Sequence, residues 1–185
     1  METILSQVGK LLYVLMGWTY DPLPAYWTNR CVVIGFPHTS NMDTVRALTY
    51  IKIAGVNARL LVKSDWFFFP LSVILKHLGG IPVKRDKAHG FVDFAVDRFK
   101  NRDHLILAMV PEGTRKHVST IKTGFWHIAR CAEVPIICWY LDNAAKRTKW
   151  AGKIDPSGNI SKDLNKIQEL YKNHGFSIPL TKNKE

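Results

Sequence analysis

The sequence predicts a single α/β domain with a mostly parallel, mixed sheet flanked by helices and preceded by an N-terminal amphipathic helix. Two observations predict this fold. The chain has 185 residues, which is enough for one buried core and short for two catalytic domains. Between positions 31 and 140, short apolar runs alternate with longer segments of helical periodicity, as in parallel strands joined by crossover helices.

Five segments have the composition of strands that are buried on both faces of a sheet. Each is a continuous apolar run instead of an alternation of apolar and polar residues, as expected where helices cover both faces. The predicted strands are 31–36, 58–62, 81–84, 105–110 and 135–141.

Helices are predicted in the gaps between these strands. The first begins after Ser40 or Asn41, which are both good N-cap residues, and runs toward Gly55, a natural C-terminal stop. Apolar residues at helical spacing between positions 4 and 15 predict the N-terminal amphipathic helix. The other predicted helices are 70–77, 90–100, 123–132 and 162–173, with a basic hairpin before the last one.

The charge balance points to an anionic partner. Lys and Arg number 26 against 15 Asp and Glu, a net charge of +11, which favours nucleic acid, anionic lipid or a phosphorylated substrate. Nucleic acid is disfavoured because the basic residues are dispersed and no nucleic-acid-binding signature is present. Cys31, Cys131 and Cys138 lack CxxC spacing and lie in apolar runs, which favours a reducing, cytosol-facing compartment.

His38 and Asp43 stand at the predicted junction of the first core strand and the following helix. His38 would lie at the carboxyl end of the strand, and Asp43 in the first helical turn, where the helix dipole favours a carboxylate. The loop lets Asp43 accept a hydrogen bond from one ring nitrogen, so that the other nitrogen acts as a base. With no adjacent Ser or Cys as an obligatory nucleophile, the natural client is a substrate hydroxyl that attacks an acyl carbon. The alternative is a simple capping loop.

A second polar segment, Glu112-Gly113-Thr114-Arg115, follows the fourth predicted strand. It would share the sheet edge with His38 if the two strands are parallel, and open α/β sheets bind ligands at that edge. Gly113 permits a tight turn, Arg115 offers planar donors to phosphate oxygens, and Glu112 can bind a hydroxyl or orient Arg115. The alternative is a turn closed by a surface ion pair.

A third segment, Gly79-Gly80-Ile81-Pro82-Val83-Lys84-Arg85, is a glycine turn that feeds a short strand. Lys84 and Arg85 would leave this strand near Arg115 and help to surround an anion. The alternative is a solvated face in which Arg85 pairs with Asp86 or Asp65.

Together these segments resemble the motifs of the glycerolipid acyltransferase family, which includes bacterial 1-acylglycerol-3-phosphate acyltransferases. His38 and Asp43 match its HxxxxD motif, and residues 112–115 match its EGTR block. Residues 80–85 resemble its second block, which ends in an arginine, and residues 134–136 resemble its fourth, apolar block. The four blocks occur in the family's order.

The resemblance implies transfer of a fatty acyl group from acyl-CoA or acyl carrier protein to a hydroxyl of a glycerophosphate or lysophospholipid. It implies that His38 is the general base and that Asp43 orients it, with no metal and no cofactor beyond the acyl-donor substrate. The substrate-binding residues that it implies are Arg85, Glu112, Gly113, Thr114 and Arg115, together with Lys63, where the family often has a basic residue.

A lipid substrate implies peripheral binding to an anionic membrane, at its cytoplasmic face. No apolar stretch reaches the roughly 20 residues that cross a bilayer, and no signal-peptide pattern is present. Interfacial insertion is expected from the N-terminal helix, from residues 66–71 and from other aromatic residues, although at least one of the three phenylalanines in 66–71 is expected in the core. Those other aromatic residues are Trp18, Tyr20, Tyr26 and Trp27.

Under this interpretation, residues 1–185 form one acyltransferase domain with three parts. Residues 1–28 are a membrane-docking segment, residues 29–142 the catalytic core, and residues 143–185 a basic C-terminal hairpin and helix. Two alternatives stay open. One is a noncatalytic peripheral membrane-binding protein that retains the fold, and the other is a metal-dependent hydrolase, for which the remaining histidines lack ligand spacing.

Overall fold

A mixed sheet forms the centre of the computed structural model, which describes residues 4–83, 90–113 and 118–180. In this part of the chain the sheet has seven strands in the order β1-β7-β6-β2-β5-β3-β4. Neighbouring strands are parallel except for the antiparallel hairpin of β6 and β7. The strands are β1 (Thr19–Tyr20), β2 (Arg30–Gly35), β3 (Ala58–Lys63), β4 (Gly80–Val83), β5 (Leu105–Met109), β6 (Ile136–Asp142) and β7 (Arg147–Ile154).

Helices lie between the strands as predicted, and the α/β fold is confirmed. The predicted core elements are present with ends that differ by one or two residues. The structure adds the short strand β1 and a 3₁₀ turn at Ser64–Trp66, for which the sequence has no periodic signal. The helices are α1 (Ile4–Leu15), α2 (Asn41–Ile53), α3 (Leu71–His77), α4 (Phe91–Lys100), α5 (Gly124–Cys131) and α6 (Ile160–Lys172).

Both faces of the sheet are covered, which explains why the strands are apolar throughout. Val32 and Ile34 of β2 pack with α4, α5 and α6, whereas Cys31 and Val33 pack with α2 and α3. Each residue of the strand therefore faces one core or the other. Because neither face of the strand meets solvent, its sequence does not alternate between apolar and polar residues.

Helix α1 packs antiparallel against α2. The Ser6 hydroxyl donates to the carbonyl of Ile53 at 3.2 Å, and the Tyr13 hydroxyl donates to the carbonyl of Arg46 at 2.9 Å. Gly9 permits the close approach, since a Cβ there would lie 3.0 Å from the Ile53 side chain. In the described part of the chain, no helix is both long enough and apolar enough to cross a membrane.

The expected interfacial role of Trp18 is wrong, because its side chain is buried. Trp18 is 5% exposed and packs with Tyr13, Tyr50 and Leu141, and Tyr20 is partly buried against the same cluster. Trp27 likewise packs against the core beside α2, whereas Tyr26 is 38% exposed. Trp18 and Trp27 are covered largely by residues that are distant in sequence, so the local pattern could not reveal their burial.

The segment that joins β3 to α3 divides between the core and the surface. Phe67 packs against the core on the α2 side, as expected for at least one of its three phenylalanines. Phe68 and Phe69 are 59% and 84% exposed. This segment therefore presents aromatic surface beside β3.

Candidate active site

Two loops meet at the carboxyl edge of the sheet. Strands β2 and β5 are parallel neighbours, with Ile34 beside Met109, so the residues that follow them leave the sheet at the same edge. The backbone N–H of His38 donates to Glu112 Oε2 at 2.7 Å. This contact joins the two loops that the sequence singled out, which are 74 positions apart.

The Asp43 carboxylate organises the loop that carries His38. Asp43 is 4% exposed and lies in the first turn of α2, which begins after Ser40. Its Oδ2 accepts hydrogen bonds from the backbone N–H groups of Thr39 at 2.7 Å and Ser40 at 2.8 Å, and from the Thr39 hydroxyl at 3.1 Å. The capping role and the proximity to His38 therefore coexist in one side chain.

His38 Nδ1 lies 3.6 Å from Asp43 Oδ2. This separation is longer than a direct hydrogen bond. The side chain of His38 is 17% exposed, so the ring is mostly enclosed. The structure thus brings together the two residues that the sequence predicted as a base and its orienting partner.

Arg46 is a third member of this group that the sequence analysis missed. Its guanidinium donates from Nη1 to Asp43 Oδ1 at 3.0 Å. The available signal was its position three residues after Asp43, on the same face of α2. Such spacing is common in surface helices, and for this reason it did not stand out.

A cavity of about 290 Å³ opens beside His38 and Asp43. It extends over the carboxyl edge of the sheet, between α2 on one side and α4 and α5 on the other. Gly35 allows the Trp139 indole to pack closely against the end of β2, because a Cβ at this position would lie 2.7 Å from the indole. The walls of the cavity are mostly apolar and include Leu60, Val62, Trp66, Val92, Phe125 and Trp139.

Two lysines line the same cavity. Lys63 ends β3, and its ammonium forms an ion pair with Asp65 that lowers the pKa of that carboxyl. Lys122, which the sequence analysis did not single out, lies against Gly113, with its Nζ 3.5 Å from the position of a Cβ there. The cavity therefore has mostly apolar walls and two lysine residues in its lining.

The predicted substrate-binding residues divide into three groups. Lys63 and Gly113 line the cavity, with Gly113 in the left-handed region at φ 61°. Glu112 is absent from the lining among the described residues, because its carboxylate turns toward the His38 backbone. Arg85, Thr114 and Arg115 lie outside the described residues, and Asp65, an alternative partner for Arg85, pairs with Lys63.

Tyr171 of α6 supports the strands beneath the site and was not anticipated. Its single hydroxyl hydrogen is shared between the carbonyls of Ile34 at 2.9 Å and Trp139 at 3.0 Å, near the carboxyl ends of β2 and β6. Burial raises the pKa of this phenol well above its usual value, so it remains a donor. The C-terminal helix thereby braces the strand that leads to His38.

The mixed sheet, the two loops joined at its carboxyl edge and the apolar cavity beside them define the class of the chain as an α/β protein with an acyltransferase-type fold. A similar fold occurs in the crystal structure of the 1-acyl-sn-glycerophosphate acyltransferase PlsC from Thermotoga maritima. The TM-score is 0.65 at 18% sequence identity, over 92% of this chain and 76% of that one.

The sequence model of the Acyltransferase family matches residues 19–142, so the chain belongs to the Acyltransferase family. The resemblance predicted from the four blocks is confirmed. No protein among curated sequences matches the chain.

Proposed function

We propose that this protein transfers a fatty acyl group from an acyl thioester, acyl-CoA or acyl carrier protein, to a hydroxyl of a glycerophosphate or lysophospholipid. The observation that carries the proposal is the proximity of His38 to Asp43 beside a mostly apolar cavity whose lining includes Lys63 and Lys122. The PlsC of similar fold is named for 1-acyl-sn-glycerophosphate, which supports this class of acceptor.

His38 acts as the general base in this reaction. Its Nε2 takes the proton of the acceptor hydroxyl as the hydroxyl oxygen forms a bond to the acyl carbonyl carbon. The carbon–sulfur bond then breaks, the acyl group becomes an ester, and the thiolate leaves with the proton that His38 returns. Asp43 stabilises the imidazolium through Nδ1, which requires the 3.6 Å separation to shorten when substrates bind.

The two parts of a lipid substrate match the two kinds of surface in the cavity. The fatty acyl chain lies against its apolar walls, where burial favours binding. The acceptor phosphate lies toward Lys122 and Lys63, and Arg85, Thr114 and Arg115 join it as the resemblance implies. Glu112 contributes by holding the His38 backbone.

Peripheral binding at the cytoplasmic face of an anionic membrane brings the enzyme to its substrates. Phe68 and Phe69 supply aromatic surface near the cavity, and the net charge of +11 favours an anionic leaflet. The three free cysteines agree with a reducing compartment. Helix α1 also exposes apolar residues, namely Ile4, Val8, Leu11, Leu12, Val14 and Leu15.

The test is turnover by the purified protein with long-chain acyl-CoA or acyl carrier protein and a lysophosphatidate acceptor. His38→Ala should lose about a hundredfold or more in kcat with an unchanged circular dichroism spectrum. His104→Ala removes an exposed histidine outside the cavity and should retain full activity. A chelator should have no effect.

Normal turnover by His38→Ala would show that the base is assigned wrongly. Loss of activity in a chelator would favour the metal-dependent alternative. Binding to anionic vesicles without turnover from either donor would instead favour a noncatalytic membrane-binding protein.

A further inference from the structure

We propose that the N-terminal segment positions the Asp43 carboxylate beside His38, because Trp18 holds the Arg46 guanidinium against that carboxylate. Arg46 is then a positioning residue for Asp43, and Trp18 acts through Arg46. The inference rests on the proposed function only in giving Asp43 a catalytic consequence, since the contacts themselves are structural.

The Arg46 guanidinium is held from two sides. Its Nη1 donates to Asp43 Oδ1 at 3.0 Å, and its central carbon lies 4.3 Å from the centroid of the Trp18 ring. Asp43 is 4% exposed and Trp18 is 5% exposed, so both contacts are shielded from water. A charge-assisted hydrogen bond and a cation–π contact are stronger in such surroundings than at an open surface.

The backbone of Arg46 is fixed by the same segment. Tyr13 donates its hydroxyl hydrogen to the Arg46 carbonyl at 2.9 Å, and its oxygen lies 3.1 Å from the Thr148 hydroxyl of β7. The backbone N–H of Trp18 in turn donates to the backbone carbonyl of Tyr13 at 2.8 Å. Residues 13–18 therefore set the position of both the main chain and the side chain of Arg46.

This arrangement divides the two oxygens of Asp43 between different partners. Oδ1 receives Arg46 and the Ser40 hydroxyl, at 3.0 and 3.2 Å, whereas Oδ2 faces the His38 ring. Without Arg46, Oδ1 keeps only the Ser40 hydroxyl, while Oδ2 keeps its hydrogen bonds from residues 39 and 40. The carboxylate then loses its charged partner on the Oδ1 side, and small displacements of a catalytic contact reduce the rate strongly. Among the described residues, Arg46 does not line the cavity, so its removal should change kcat and leave KM unaltered.

The experiment compares Arg46→Met and Arg46→Lys with a control substitution at a second arginine that also lies over an aromatic ring. Arg98 lies over the Phe94 ring at 4.9 Å on α4, so Arg98→Met also breaks a cation–π contact but has no link to Asp43. We expect Arg46→Met to lower kcat by about tenfold to a hundredfold with KM unchanged for both substrates. Arg46→Lys should recover most of the loss, and Arg98→Met should retain wild-type kcat.

Trp18 is tested by a double-mutant cycle. Trp18→Leu should lower kcat, Trp18→Phe should lower it less, and Trp18→Leu combined with Arg46→Met should be no slower than Arg46→Met alone. The inference would be overturned if the double variant lost kcat by the product of the two single losses. It would also be overturned if Arg46→Met and Arg98→Met lost equal amounts of kcat. Should Arg46→Met fail to fold, the comparison of Trp18→Phe with Trp18→Leu provides the same test.

A spectroscopic measurement separates this inference from the proposed function. The ¹⁵N chemical shifts of the His38 ring should move in Arg46→Met and remain in place in Arg98→Met, whether or not the protein turns over the chosen substrates. Shifts that are unchanged in Arg46→Met contradict the positioning role. Changed shifts in a protein without acyl transfer support the positioning role and reject only the reaction.

Discussion

The backbone N–H of His38 donates a hydrogen bond to the Glu112 carboxylate at 2.7 Å. This contact connects the loop after β2 to the loop after β5. The sequence predicts that Glu112 helps to hold the acceptor, and in the structure its carboxylate also accepts a hydrogen bond from the main chain of His38. Glu112 therefore contributes to the position of the His38 ring.

Glu112→Ala should lower kcat by about tenfold to a hundredfold, because the His38 backbone loses its acceptor and the ring loses its fixed position. Glu112→Gln should be milder, since its amide oxygen can still accept the hydrogen bond. Steady-state kinetics with both substrates provide the measurement. A rise in the acceptor KM alone, with kcat unchanged, would show that Glu112 contacts substrate instead.

Lys122→Ala should raise the KM of the phosphorylated acceptor by about tenfold and leave the donor KM nearly unchanged, because it removes an ammonium group from the cavity. Lys63→Ala should have a smaller effect, since Asp65 already partly neutralises that ammonium. Lys172→Ala, which removes an exposed lysine of α6, is the control. Equal increases in both KM values would argue against a phosphate-binding role for Lys122.

Asp163→Asn should destabilise the fold at pH 7 by about 1 to 3 kcal/mol, because buried Asp163 accepts hydrogen bonds from Trp126 at 2.9 Å and Ser157 at 2.7 Å. Burial opposes the charged form, but these donors hold the pKa of Asp163 below the usual 3.8. The carboxylate thus stabilises the protein above pH 3.8, and this contribution is lost as the pH falls through the lower folded-state pKa.

Urea unfolding of both proteins between pH 7 and pH 3 measures this difference. The difference in free energy of unfolding between wild type and Asp163→Asn should narrow below pH 3.8. A constant difference over the whole range would mean that the charge of Asp163 makes no contribution.

Iodoacetamide at neutral pH should label Cys131 rapidly in the native protein and spare the other two cysteines. Cys131 is exposed at the end of α5, whereas burial raises the pKa of Cys31 and of Cys138 to about 12. Mass spectrometry with and without denaturant gives the count of labelled thiols. Cys131→Ser should show no rapid labelling, and rapid labelling of Cys138 in the folded protein would contradict the structure.

The main strands could be predicted because two covered faces require continuous apolar runs, and β2 is such a run. Strand β1 could not be predicted, since its two residues pair with Arg147 and Thr148 of β7 and have no pattern of their own. The predicted position of Trp18 at a membrane interface is wrong for a related reason. An aromatic residue near an amphipathic helix suits a membrane interface, and only its distant neighbours show that it is buried.

The spacing of His38 and Asp43 is a property of the local chain, and with the order of strands and helices it was sufficient to place both residues on one loop at the carboxyl edge of the sheet. The partners of Glu112 and Arg46 were decided by the tertiary structure. Glu112 meets a backbone group 74 positions away, and Arg46 meets a ring from before β2. Residue types and short spacings report local preferences, whereas these contacts exist only because packing brings distant segments together.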